Sequence, residues 1–316
     1  METPFAQQES EARTATAPQV TSGAAATSRA LWRGMRPKHW VKNGFVLAGF
    51  LFTLDRPGVL ERAWPVAIAV ACFCLVASSI YLVNDVCDAA ADRLHPKKRQ
   101  RPIASGALSP RTAVLAAVIL AVVGAGASFY LGWAFTAAVV GYVLLSVSYS
   151  LWLKHLVILD VMTVSTGFVI RAAAGAVAIG VEISPWLLIC TLLIALLLSF
   201  AKRRSELALV DQAVGHRRIL ERYTLAMLDQ MITIVAAATL MAYTLYTFLA
   251  ATAMGRPALM LTVPFVFYGI FRFLYLAHRQ QAGGIEDLLK DRGILLTVLL
   301  WAGVSGVVLT YGIFLR

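Results

Sequence analysis

Three aspartates and an asparagine crowd into the run NDVCDAAAD at residues 84–92. Asn84, Asp85, Asp88 and Asp92 fall at i, i+1, i+4 and i+8. On a helix, Asn84, Asp88 and Asp92 would stack along one face, with Asp85 beside Asp88. Carboxylates this close repel one another and persist best with something positive between them. Oxygen donors suit Mg2+, which binds through a few carboxylates, retained waters and phosphates. Such an ion can stabilise a diphosphate as it leaves. The plainer reading is a solvated helix end near lipid headgroups. The next residues, RLHPKKRQRPIASG, favour the chemical one. Lys97, Lys98, Arg99 and Arg101 can hold phosphate oxygens, Arg through its fork and Lys as a point charge. Pro96 and Pro102 stiffen the chain between them, and Gly106 permits a tight turn.

Further polar residues recur beside apolar segments. WRGMRPKHWVKNG offers Arg36, Lys38, His39, Lys42 and Asn43 to a phosphate, with Trp32 and Trp40 as interface anchors. For Lys42 and Asn43 a structural role is equally open. SYSLWLKHLVILD brings Tyr149, Ser150, Lys154 and Asp160 to the same side. Asp160 opens an apolar helix, where it either caps the positive end or orients a ligand or basic side chain. Arg171 follows three turns later, near mid-membrane. It must face protein, water or an anion there, through a structural pairing or a phosphate cavity. FAKRRSEL adds Lys202, Arg203 and Glu206, which rank above the later charges of residues 211–228. Asp229 and Gln230 read as helix caps. Glu286, Asp287 and Asp291 read as a short capped helix. No Ser/His/Asp triad, P-loop or dinucleotide fingerprint is present, which favours metal-assisted transfer over covalent catalysis. The four cysteines, Cys72, Cys74, Cys87 and Cys190, fit no sulfur–metal spacing.

These residues must be positioned by membrane helices. The 316-residue chain is 59% hydrophobic and 14% charged, too apolar for a water-exposed surface. The expected fold is all-α and polytopic. About nine transmembrane helices are expected, near 42–54, 64–84, 111–130, 133–152, 157–178, 185–201, 229–251, 257–277 and 294–315. Residues 1–30 lack an apolar core and read as a disordered cytoplasmic tail, leaving 31–316 as the membrane domain. Apart from Arg56, Arg62, Arg171, Arg256, Arg272 and Arg316, every Lys and Arg falls in residues 1–42 or in 85–111, 153–156, 202–228 and 278–292. The positive-inside tendency puts that set in the cytoplasm. The net charge of +11 therefore reports topology and attraction to anionic lipid or phosphorylated substrate, not nucleic acid.

The chain resembles integral-membrane UbiA-type prenyltransferases. NDVCDAAAD matches that family's first Asn/Asp-rich magnesium motif, and the likeness runs from about residue 32 to 315. The resemblance implies helices around a central cavity, open to the cytoplasm and laterally to lipid. It also implies Mg2+ held by Asn84, Asp85, Asp88 and Asp92. RPKHWVKN, YSLWLKHLVILD, GFVIRAAAG, AKRRSEL and EDLLKDRG are similar to a narrower branch, the decaprenyl-phosphate phosphoribosyltransferases. Ordinary aromatic prenyltransferases usually carry a second aspartate-rich motif where this chain has KRRSEL.

That branch implies transfer of 5-phosphoribose from 5-phosphoribosyl 1-diphosphate to a polyprenyl phosphate in the plasma membrane. Diphosphate would be released, and the product would serve cell-envelope arabinan synthesis. Asp85, Asp88 and Asp92 would be catalytic. Lys42, Asn43, Asn84, Lys97, Arg99, Arg101, Tyr149, Lys154, Asp160, Arg171, Lys202, Arg203 and Glu206 would bind substrate. The rival enzyme moves a prenyl group from prenyl diphosphate to a quinone or haem precursor. A transporter is the rival outside enzymes. Membrane lipids are expected partners, and no residue pattern fixes an oligomeric state.

Overall fold

The computed structural model describes residues 23–51, 53, 58–94, 98–208, 222–253, 257–279, 288 and 290–311. Among these, all regular structure is helical. Helix α1 (Ala24–Gly34) leads into a 3-10 stretch, Pro37–Leu47, and a single α-turn, Ala48–Leu51. The long helix α2 (Val59–Cys87) is followed by α3 (Ala89–Leu94). Then come α4 (Pro110–Ser128), α5 (Trp133–Leu151), α6 (Leu159–Ala178) and α7 (Pro185–Ala208). Helices α8 (Leu225–Ala253), α9 (Val263–His278) and α10 (Arg292–Tyr311) complete the order.

Local chemistry explains several starts. Ser109 accepts a hydrogen bond from the Thr112 backbone N–H at 3.1 Å, and Pro110 follows at the first helical position of α4. Asp291 accepts from the Ile294 N–H at 2.9 Å and so caps α10. The Arg272 guanidinium bonded to Asp291 holds that carboxyl below the usual carboxylate range. Asp291 is thus an ion-paired helix cap, while Glu286 and Asp287 lie outside the described residues.

Seven spans among the described residues are long and apolar enough to cross a bilayer: Glu61–Cys87, Pro110–Leu131, Trp133–Leu151, Leu159–Ala178, Pro185–Ala208, Leu225–Ala250 and Ala258–His278. Helix α10 contributes a shorter apolar stretch, Arg292–Val308. Over 42–51 the chain is a 3-10 stretch and one α-turn rather than a spanning helix, so nine crossings are not counted among the described residues. Leu115, Val118, Ile119 and Val122 of α4 are each more than half exposed. In water such a face would aggregate, but in lipid it costs nothing.

Helix α1 starts inside the segment expected to lack order through residue 30, while residues 1–22 lie outside the described ones. Ala24, Ala25 and Ala26 are strong helix formers. Tertiary packing adds to this, because Ala30, Leu31 and Met35 join Leu82, Ile103 and Leu108 in one apolar cluster. A second cluster joins Val46, Phe73, Phe135, Tyr142 and Ala174. A third joins Val161, Leu197, Phe200, Leu228, Ile232 and Phe273. Helix α6 contributes to the second and third, so it runs between two halves of the bundle.

The 3-10 stretch is inlaid against α6 through small residues. A Cβ built on Gly175 would stand 1.9 Å from the Val46 carbonyl oxygen, and one on Gly49 would stand 3.0 Å from the Ala176 backbone. Backbone cannot yield as a flexible side chain does, so only glycine admits the approach. Gly175→Ala is therefore expected to destabilise the protein by at least about 1–3 kcal/mol. Gly141 sits in α5 with no atom within 4 Å of a built Cβ. Gly141→Ala should be neutral or stabilising by up to about 1 kcal/mol. Thermal unfolding of the two variants in detergent, followed by tryptophan fluorescence, checks both.

Candidate active site

The opening acidic run meets its charges at the end of α2. Asp85 is 2% exposed, and its Oδ1 accepts from Arg36 Nη2 at 2.5 Å and Arg101 Nη1 at 3.0 Å. The same Arg101 nitrogen donates to Asp92 Oδ2 at 2.6 Å. Two buried carboxylates are thus balanced by two guanidiniums. Asp88 ends α2, is exposed, and makes no ion pair among the described residues. The pairing differs from the expected stack of Asn84, Asp88 and Asp92. Asp85 and Asp92 share one face and one arginine, while Asn84, Asp85 and Asp88 line a cavity of about 480 Å³.

A second wall comes from α5, α6 and α7. Arg203, buried on α7, donates to Asp160 Oδ2 at 2.7 Å, Glu206 Oε2 at 2.7 Å and the Tyr149 hydroxyl at 3.3 Å. Asp160 is fully buried and makes no side-chain cap to α6. Its other oxygen accepts from the Tyr223 hydroxyl at 2.8 Å, and that hydroxyl accepts from the Ile158 N–H at 2.7 Å. Burial pushes the Tyr223 phenol up to about 12, so it stays a proton donor. Ile158 is held at φ 70° and Arg36 at φ 53°. Branched or bulky residues rarely adopt this conformation. These two departures bracket the cavity, one behind Asp160 and the other beside Asp85, as strain held at functional sites often does.

The third group lies deeper along α6. Arg171 is buried and donates to Asn43 Oδ1 at 2.8 Å, the Tyr142 hydroxyl at 2.7 Å and the Gly167 carbonyl at 2.9 Å. Its guanidinium also stacks over the Tyr142 ring, 4.4 Å from the centroid. Asn43 is fixed in turn by donating to Cys74 Sγ at 3.1 Å.

Of the residues singled out in the sequence, the cavity gathers Arg36, His39, Lys42, Asn84, Asp85, Asp88, Arg101, Tyr149, Ser150, Arg171, Lys202, Arg203 and Glu206. Asp92, Asn43 and Asp160 stand behind its wall in this structure, bonded to Arg101, Arg171 and Arg203. A ligand-contacting role for Asp160 is therefore replaced by one orienting Arg203. Arg99 is exposed away from the cavity, and Lys154 sits half-buried outside its lining. Lys97 lies outside the described residues. Trp40, expected as an interface anchor, donates to Ser78 Oγ at 3.1 Å and packs edge-on to Trp32. Asp229 pairs with Arg204 rather than capping a helix, since α8 begins earlier at Leu225. Tyr142 and the Tyr223 clamp escaped the sequence reading. Tyr142 lies in an apolar run, and only the bond its hydroxyl accepts from Arg171 on the next helix makes it part of a site.

The acidic set can be tested against the expected cation on donor chemistry. Three carboxylates and one amide are oxygen donors of the kind a hard divalent ion takes. Asp85 and Asp92 are brought within reach of one guanidinium, which itself carries positive charge between them. The residues fit the group in donor type. Among the described residues, no three acidic, His or Cys side chains are already converged as a closed cage.

The chain is 34% identical over 285 residues to a decaprenyl-phosphate phosphoribosyltransferase of Mycobacterium tuberculosis, covering 89% of this chain and 94% of that one. It is 35% identical to the enzyme of that name from Mycolicibacterium smegmatis, over 87% of this chain and 91% of the other. A Corynebacterium glutamicum protein of the same name is 40% identical over 68% of this chain and 66% of its own length. Among solved structures, a UbiA homologue from Archaeoglobus fulgidus bound to DMAPP and Mg2+ superposes with a TM-score of 0.67. It is 18% identical and covers 89% of this chain and 99% of that one, a likeness of fold. The UbiA prenyltransferase family itself matches residues 44–289. On that match and on relatives that align along most of its length, this chain belongs to the UbiA prenyltransferase family.

Proposed function

We propose that this protein transfers 5-phosphoribose from 5-phosphoribosyl 1-diphosphate to a polyprenyl phosphate, of the decaprenyl class, and releases diphosphate. The observation that carries this reading is a single cavity with cationic groups at two depths. Arg36, Arg101, Lys202 and Arg203 stand at its mouth, and Arg171 stands further along α6. Two anionic substrates need such an arrangement, whereas an aromatic acceptor needs an uncharged pocket. The relatives named above support the choice of donor and acceptor. The positive-inside tendency of the basic loops supports a mouth on the cytoplasmic face of the plasma membrane, where a soluble phosphorylated donor would reach it.

Asn84, Asp85, Asp88 and Asp92 would hold Mg2+, which would supply charge neutralisation for the departing diphosphate. The protein's own groups do the rest. Arg36 and Arg101 neutralise Asp85 and Asp92 in this structure. When an anionic donor binds with its cation, the guanidiniums exchange carboxylate for diphosphate oxygens and hold the leaving group as the C1–oxygen bond breaks. Asp160 and Tyr223 keep Arg203 aimed into the cavity throughout. The acceptor phosphate oxygen attacks C1 from the opposite face. That oxygen is already anionic, so the reaction needs no side chain as a general base.

Asp88→Asn removes a cavity-lining carboxylate that carries no structural ion pair among the described residues. It should retain its fold and lose at least about 100-fold in turnover, the scale set by removing one electrostatic contact to a transition state. Radiolabelled phosphoribosyl donor with polyprenyl phosphate, assayed beside prenyl diphosphate with aromatic acceptors, tests the function itself. Lipid-linked product in the first assay supports the assignment. Product in the second assay alone rejects it.

A further inference from the structure

Two arginines are buried among the described residues, and they differ in one respect. Arg203 has Asp160 and Glu206 as counter-ions. Arg171 has no carboxylate partner among the described residues. Its three bonds run to an amide oxygen, a phenol and a backbone carbonyl, all neutral. A guanidinium carries five N–H donors, so two of its N–H groups have no partner there. Both belong to the Nη nitrogens, on the fork that matches phosphate oxygens. The charge is 5% exposed and lines the cavity. A permanent cation so placed costs several kcal/mol unless an anion meets it.

We propose that Arg171 receives the phosphate of the lipid acceptor, and not a phosphate of the soluble donor. The inference rests on the two-anion reading above and divides that cavity between its substrates. Depth decides the division. Turned back onto the Gly167 carbonyl, the Arg171 guanidinium lies about 10 Å beyond Asp160 along α6. The carboxylates and the arginines paired with them are at the mouth, where a soluble anion enters. An anion carried on a hydrocarbon chain arrives instead from the lipid side, its head at the interface and its tail along the helices. A second cavity of about 530 Å³ lies across the 3-10 stretch, lined by Val41, Phe45, Ala176, Trp186 and Ile194. Lys42 of the same stretch faces the polar cavity. The apolar space lies on the far side of the 3-10 stretch from Arg171 and Lys42. Asn43, Tyr142 and Gly167 hold the guanidinium in place beforehand, so little side-chain entropy is lost on binding.

Equilibrium binding to the purified full chain in nanodiscs tests this with decaprenyl phosphate, decaprenol, inorganic phosphate and 5-phosphoribosyl 1-diphosphate as probes. Arg171→Gln should weaken decaprenyl phosphate binding at least tenfold and raise its KM in step. Affinity for the soluble donor should stay within twofold, and Arg171→Lys should restore part of the loss. Asn43→Asp gives Arg171 the counter-ion it lacks without removing it, and should weaken the same probe. That variant decides the matter if Arg171→Gln does not fold. Unchanged decaprenyl phosphate affinity in folded variants overturns the assignment. So does an equal loss for the soluble donor, or inorganic phosphate binding as tightly as the lipid. If the wild type binds decaprenyl phosphate through Arg171 yet makes no phosphoribosyl lipid, the proposed reaction fails and this inference stands.

Discussion

Fixed charge inside an apolar bundle is the constraint on which the rest of this structure depends. An ionised side chain at mid-bilayer costs about 3 kcal/mol even on permissive insertion scales. The chain nevertheless buries Asp85, Asp92, Asp160, Arg171 and Arg203. Four of these five are neutralised by one another or by Arg36, Arg101 and Glu206. The pairs gather around one cavity instead of being scattered through the helices. Replacing such pairs with apolar residues is often neutral or stabilising in folded proteins. Their concentration here is therefore better explained by the anions they handle than by the stability they add.

The scaffold serves this arrangement by bringing unlike segments close. Helix α6 carries Asp160 at one end, Arg171 along its length and Gly175 beyond. Gly175 admits the Val46 carbonyl, and that contact fixes the 3-10 stretch that presents Lys42 and Asn43. Asn43 then grips Arg171 across the gap. The positive φ of Arg36 turns the chain between α1 and that stretch, so its guanidinium reaches Asp85 on α2. The Tyr223 clamp on Ile158 and Asp160 does the same work from the start of α8. Each polar contact thus links segments far apart in sequence.

Local pattern reveals some of this and hides the rest. Apolar runs of spanning length mark α2 and α4 to α9, because lipid permits few alternatives to a helix. The acidic run marks the cavity mouth, because four oxygen donors at helical spacing have few other uses. The segment 42–54 misleads, since its apolarity reflects burial against α6 and not an independent crossing. Asp160 is legible only as a choice. Its position suggests a cap, or the orienting of a ligand or basic side chain, and only the fold identifies Arg203 as that side chain and brings Tyr223 to it. Tyr142 sends no signal at all, being one aromatic in an apolar helix until Arg171 approaches. Sequence spacing reports same-helix neighbours well, and reports partners 29 to 128 residues away not at all.

The account turns on partner exchange at Asp85 and Asp92. A structure determined with 5-phosphoribosyl 1-diphosphate and Mg2+ reads that exchange directly. The account predicts that both carboxylates leave Arg36 and Arg101 for the cation, while those guanidiniums hold the diphosphate. Intact Asp85–Arg36 and Asp92–Arg101 pairs, with donor and cation bound elsewhere, would contradict it.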